Sequence, residues 1–219
     1  PARKSTRGVL EILIARGDIQ NADAQAVAVG VFAGVHPAGA AAALDPRLGG
    51  AITEFAARRM LSGETGQISS LPAAGRLAHA SQVVIVGLGR FADLDAAAIE
   101  LAAESVARYC EHGRISSLAS VPWGAGSGLP ATLSFAAQLR GYLRQRAERS
   151  PRLARITFTI RDAREHGAIA RLAALLAREI DPDGVSLQVR RVDQRAAPRA
   201  AQRPARSRAA RPSTVPRIA

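Results

Sequence analysis

The sequence predicts an α/β chain: a three-layer α/β/α domain on a mixed, mostly parallel sheet, followed by a basic tail. Three observations carry that reading. Short β-type apolar runs alternate with longer amphipathic segments, the order expected when strands feed helices. The run Ala24 to Phe32 is apolar almost throughout, as a strand covered on both faces must be. Ser117 to Pro130 carries an apolar run into a turn with Gly124, Gly126 and Gly128, and a helical pattern follows from Thr132.

Each element has its own signal. Val9 to Ala15 reads as a strand that stops at Arg16-Gly17-Asp18, and Ala24 to Phe32 as a second, buried strand. Gly34 to Gly39 is a loop, and Ala40 to Leu44 fits helix or loop. Leu48 to Leu61 reads as a helix opening near Gly49-Gly50, and Gly66 to Leu71 as a short strand. Gln82 to Leu88 is the clearest strand, a compact apolar run. Asp93 or Asp95 can cap a long helix bearing Leu94, Ile99, Leu101, Val106 and Tyr109; Glu104 and Arg108 sit at i,i+4, and Gly113 where a C-cap belongs.

The second half repeats the pattern. Arg114 to Val121 is a strand and Leu129 to Arg149 a helix. Leu153 to Ile160 is a strand, and Ala163 to Ile180 a helix with Ile169, Leu172, Leu175 and Leu176 on one side. Val185 to Val192 alternates as a solvent-facing edge strand does. The organisation expected is an extension over 1–8, one folded domain over 9–193 and an Arg/Ala/Pro-rich tail over 194–219.

Composition narrows the partners. With 47% hydrophobic but only 4% aromatic residues, Ala, Val, Leu and Ile must fill the core. The net charge of +12 is unevenly placed: residues 194–219 hold seven arginines and no acid. That tail also holds four prolines and no large apolar cluster, so it is expected to be disordered alone. Lys4 is the only lysine, a bias that weakens any argument from arginine as a chosen ligand. Cys110 is the only cysteine, so no intrachain disulfide forms and a reducing cytoplasm is the expected location. No apolar run reaches membrane-spanning length and no signal-peptide core follows Lys4 and Arg7, so no membrane partner is expected. The chain opens at Pro1 without Met and is read as a processed form or part of a longer protein.

The glycine loop is the main candidate for chemistry. A strand, a Gly-rich turn and a helix start can aim successive backbone N–H groups at one anion. The alternative is a tight turn with no ligand, because this spacing is not the dinucleotide fingerprint. Ser127 sits on the loop, but Gly-Ala-Gly-Ser-Gly is not a nucleophile elbow. Ser116, Ser117 and Ser120 have no histidine placed as a base. Trp123 can stack on a base or cover the end of the sheet. His36, His79, His112 and His166 lack ligand spacing, so no metal or other cofactor is expected.

Several segments resemble macro domains. Leu13-Ile-Ala-Arg-Gly-Asp-Ile19 with Asp23-Ala-Gln-Ala-Val-Ala-Val29 resembles their opening strand, turn and strand. Val83-Val-Ile-Val-Gly87 resembles their central strand, Pro122 to Pro130 their phosphate loop, and Leu153 to Ile160 their last strand. Val29-Gly-Val-Phe32, Ala42-Ala-Leu-Asp45, Leu48-Gly-Gly-Ala-Ile52 and Val86-Gly-Leu-Gly-Arg90 resemble more closely the N-terminal, macro-like domain of leucyl aminopeptidases. The resemblance covers roughly residues 9–180 and implies a macro-like fold.

Two functions follow from that resemblance. Leucyl aminopeptidases keep two metals and their catalytic residues in a C-terminal domain with an Asn-Thr-Asp-Ala-Glu-Gly-Arg stretch, which is not found here. The first implied role is therefore non-catalytic: no catalytic residue, and support for the assembly or positioning of a fused or associated catalytic domain, as an oligomer in the full-length context. The second is an ADP-ribose-like nucleotide or phosphate site. In it Asp18 holds the base, and Gly49, Gly50, Gly124, Ala125, Gly126, Ser127 and Gly128 surround the phosphates. Two departures bear on it: Ala28-Val-Gly-Val-Phe32 lacks the side-chain amides of hydrolytic macro domains, and the nearest glycines to their first phosphate loop are Gly39, Gly49 and Gly50. A third class is weak, non-specific nucleic-acid contact through the tail.

Overall fold

Alternating apolar residues build the centre of the molecule. In β2 (Ala26–Val31) Ala26 and Ala28 point into one buried cluster, while Val27, Val29 and Val31 point into another. A strand with apolar residues on both sides needs cover on both faces, and the computed structural model supplies it. The structure describes residues 9–148, 152–179 and 187–193. The tail 194–219 and the extension 1–8 lie outside the described residues.

The other strands are β1 (Leu10–Arg16), β3 (Ile68–Pro72), β4 (Gln82–Gly87), β5 (Ser117–Ser120), β6 (Arg155–Ile160) and β7 (Leu187–Asp193). They form one sheet in the order β3-β4-β2-β5-β6-β1-β7, parallel throughout except for the antiparallel edge pair β3–β4. The helices are α1 (Gly39–Leu44), α2 (Ala51–Ala57), α3 (Ala96–His112), α4 (Ala131–Glu148) and α5 (Ala163–Glu179). Buried residues of α3, α4 and α5 share a core with Ile12, Ile14, Ile156 and Phe158. Residues of α1 and α2 pack with Val27, Val29 and Ile85 on the opposite face. This is the expected mixed, mostly parallel three-layer architecture.

Helix boundaries obey capping chemistry. The Asp95 carboxylate accepts from the Ala98 amide at 2.8 Å and starts α3, and Glu104 pairs with Arg108 at 2.9 Å along it. At its end Gly113 stays in the right-handed region, and Arg114 takes the left-handed one at φ 55°. The Ile115 amide then reaches back to the Cys110 carbonyl at 2.9 Å, closing the turn. Strand β5 consequently begins at Ser117 rather than at Arg114.

The segment expected as a helix over Leu48 to Leu61 opens at Gly49-Gly50 as expected but stops early. Residues Asp45–Leu48 form a 3-10 turn, and Gly49 and Gly50 both take left-handed φ, 71° and 82°, which glycine alone adopts freely. Helix α2 then runs only to Ala57, because Arg59 turns left-handed and the Met60 amide donates back to the Phe55 carbonyl at 2.9 Å. Ala40 to Leu44, open between helix and loop in sequence, lies within α1.

Close backbone approach fixes one helix pair. A Cβ at Gly141 of α4 would lie 2.2 Å from the Glu100 carbonyl oxygen of α3. Only glycine permits that separation, and the contact is flanked by ion pairs from Arg140 and Arg144 to Glu100.

Candidate functional site

Parallel strands end together, and ligands of open α/β sheets sit beyond those carboxyl ends. Here the ends of β1, β2, β5 and β6 border two adjoining depressions of about 120 and 290 Å³. Gly39, Ala40, Val121, Pro122 and Ala125 line both, so they form one cleft. The smaller part is closed by Phe32, Leu88 and Trp123 and edged by His36 and Ser127. The larger part is lined by Gly17, Ile19, Thr159, Arg161, Asp162 and Glu165.

The glycine loop sits at the junction. Gly124, Gly126 and Gly128 all adopt positive φ, 75°, 86° and 93°. The loop closes on itself: the Ala125 amide donates to Pro122 at 3.3 Å, the Ser127 amide to Gly124 at 2.9 Å, and Ala125 pairs with Leu129 as a lone bridge. Gly124, Ala125 and Ser127 line the cleft, while a Cβ at Gly126 or Gly128 would meet open space.

What anchors the loop is a buried polar network. Ser134 and Gln138 lie one turn apart on α4. The Ser134 hydroxyl donates to the Trp123 carbonyl at 2.6 Å, and the Gln138 amide to the Val121 carbonyl at 3.0 Å. Ser120 donates to Gln138 Oε1 at 3.1 Å. Sequence reading missed both α4 residues; the available signal was a polar i,i+4 pair inside an otherwise apolar face. Trp123 is 2% exposed and meets Tyr142 edge-on, with centroids 6.4 Å apart. It covers the core and offers no stacking face. Burial drives the Tyr142 hydroxyl far above its ordinary range.

Asp18 lies at the rim of the larger depression, between the lining residues Gly17 and Ile19, and its carboxylate pairs with Arg161. It stands at the start of the short Ile19–Asn21 turn without capping it through its side chain. Asp162 accepts from the Arg164 and Glu165 amides, each at 2.8 Å, and opens α5. Those backbone bonds, that of Glu165 foremost, hold its carboxyl below the ordinary value; Arg164 and Arg16 act in the same direction.

Gly49 and Gly50 are not among the residues lining either depression. They shape the turn into α2 over the buried Asp45. That carboxylate accepts from the Ile52 amide at 2.7 Å and from the Thr53 amide and hydroxyl, so it caps the helix from outside. Ser116 and Ser117 bond to Gln25 at the amino ends of β2 and β5, away from the cleft. His166 is buried, its Nε2 3.3 Å from the Ile14 carbonyl and its Nδ1 3.2 Å from an Arg191 guanidinium nitrogen. Among the described residues no group of three His, Cys, Asp or Glu is placed to hold a metal ion, and no helix is long and apolar enough to cross a membrane.

This sheet order, with a cleft at the carboxyl ends and a glycine loop after β5, defines a macro-like α/β/α domain. Solved structures agree. The macrodomain of Mycobacterium tuberculosis DarG is 19% identical with a TM-score of 0.53, over 65% of this chain and 93% of that one. The Oceanobacillus iheyensis macrodomain with ADP is 14% identical with a TM-score of 0.62, over 74% and 90%. The Trypanosoma brucei macrodomain in complex with ADP is 13% identical with a TM-score of 0.61, over 76% and 69%. At these identities the likeness establishes the fold. A search of curated proteins finds no match. Residues 28–149 match the cytosol aminopeptidase family, N-terminal domain. The matched span exceeds half of the chain, and the protein belongs to that family.

Proposed function

We propose that this domain is a non-catalytic module that positions a metal-dependent partner domain of the aminopeptidase type, in the cytoplasm. The observation that carries the reading is the glycine loop bonded to itself, with the Ala125 and Ser127 amides spent on Pro122 and Gly124. Those two amides are then not available to a diphosphate. Family membership through the N-terminal domain alone supports the same reading. Two measurements test it. Sedimentation of the full chain mixed with a catalytic domain of the same family is expected to show a complex, and separate sedimentation overturns the positioning role. Calorimetry with ADP-ribose at millimolar concentration is expected to give no heat.

A second reading has its own observation. The 290 Å³ depression beside Asp18 adjoins the glycine loop, in a fold whose solved neighbours include complexes with ADP. In that case a base displaces Arg161 from Asp18, and saturable heat with ADP-ribose, lost in Asp18→Ala, favours it over the first.

A further inference from the structure

Helix α2 and the end of β2 border a hollow beside the cleft. It measures about 470 Å³ and is walled by Val31, Phe32, Val35, Ala56, Ala57 and Leu61. Phe32, His36 and Pro37 line both the hollow and the smaller part of the cleft, so whatever fills the hollow stands against the cleft's edge. Its walls are fixed by backbone bonds: the Ala33 amide donates to the Gly89 carbonyl at 2.9 Å, and the Met60 amide to the Phe55 carbonyl at 2.9 Å. The apolar surface continues outside it. Among the described residues seven large hydrophobic side chains are exposed, and three of them gather here. Val35 is a wall residue, Met60 lies between the lining residues Arg59 and Leu61, and Phe91 meets Phe32 edge-on with centroids 5.1 Å apart. Scattered exposed hydrophobics need no explanation, whereas a contiguous patch around a concavity marks an interaction surface. Charge at the rim is one-sided. The lining residues include Arg59 and no carboxylate. Arg58 is engaged by Glu54 at 2.6 Å, and among the described residues no carboxylate pairs with Arg59.

We infer that this hollow is where the partner domain docks, and that it takes a segment of that domain in which apolar side chains stand beside a carboxylate. The inference rests on the positioning role proposed above and locates it on the molecule. The segment's apolar side chains fill the space between Phe32 and α2, and its carboxylate meets the Arg59 guanidinium. A small ligand in the hollow would leave Met60 and Phe91 in water, whereas a protein surface covers both. The apolar centre supplies affinity. The single rim charge supplies orientation and a faster encounter. A second copy of this chain is a poorer fit. A two-fold contact brings the same patch from both copies together, and this patch would set Arg59 in one interface with another Arg59 and no carboxylate from the walls.

The test measures the Kd by sedimentation of the full chain with a catalytic domain of the same family. Val35→Ser combined with Met60→Ser is expected to raise the Kd about tenfold or more. Arg59→Gln is expected to raise it about threefold, and Arg59→Glu about tenfold. Leu175→Ser removes an equally exposed hydrophobic side chain from α5, in the opposite layer, and is expected to leave the Kd unchanged. All the substituted residues are exposed, so each variant is expected to fold, which circular dichroism checks. A complex whose Kd no hollow variant changes overturns the docking site and leaves the positioning role standing. An equal loss of affinity in Leu175→Ser does the same. No complex with the parent chain overturns both. Self-association of the parent chain alone, dissolved by the Val35 and Met60 substitutions, makes a second copy the occupant and overturns the inference.

Discussion

Replacing Asp45 with alanine removes a buried acceptor that three donors share. The residue is 9% exposed, and its carboxylate takes the Ile52 amide at 2.7 Å together with the Thr53 amide and hydroxyl. Loss of a helix cap costs about 1–2 kcal/mol, and leaving a buried amide such as Ile52 without an acceptor costs about 1–3 kcal/mol. The two overlap, so the expected loss is about 3 kcal/mol. At this domain size that lowers the melting midpoint by roughly 6–12 °C. Asp45→Asn keeps one oxygen facing Ile52 and is expected to lose about 1 kcal/mol. Urea unfolding followed by circular dichroism measures both variants against the parent. An Asp45→Ala protein within about 0.5 kcal/mol of the parent would refute the claim that this carboxylate organises the Gly49-Gly50 turn and the start of α2.

Three further outcomes are expected. Gly141→Ala forces α3 and α4 apart at Glu100 and is expected to cost roughly 1–3 kcal/mol; a gain of about 0.5–1 kcal/mol, normal for glycine to alanine in an open helix, would show that the contact is loose. Burial, and then the Glu111 carboxylate, push the Cys110 thiol up to about 12. A disulfide reagent at pH 8 is therefore expected to label it only as fast as the protein unfolds, and rapid stoichiometric labelling would contradict its burial. Asp162 has a folded-state value below its unfolded one. Its contribution is present above the ordinary carboxylate value near 4 and disappears as pH falls through the lower folded value. The stability gap between the parent and Asp162→Asn is thus expected to close in acid, and a gap that stays constant from pH 6 to pH 2 would contradict it.

Layering was legible because it depends on composition over short windows. Ala26 to Val31 could only be covered on both sides, and Gln82 to Gly87 could only be interior. Helix ends were less legible. Arg59 and Arg114 occupy left-handed positions that sequence statistics assign to glycine, and the backbone bonds that hold them there involve residues five positions back. The cleft was half legible: Gly124 to Gly128 announce a turn, but the spending of their neighbouring amides within the loop follows from three-dimensional closure. Asp45 reads as an ordinary turn residue until its reach of seven residues to Ile52 is seen. The contacts of His166 join residues 152 and 25 positions away, beyond any local pattern.

The placement of β1 has a consequence for how the protein is made. Its two neighbours are β6 and β7, so β1 must wait about 140 residues of synthesis for its first partner. Pairings this far apart in sequence raise contact order and slow folding. Until β6 has been made, Leu10, Ile12 and Ile14 have no strand of this sheet to join, a state prone to aggregation.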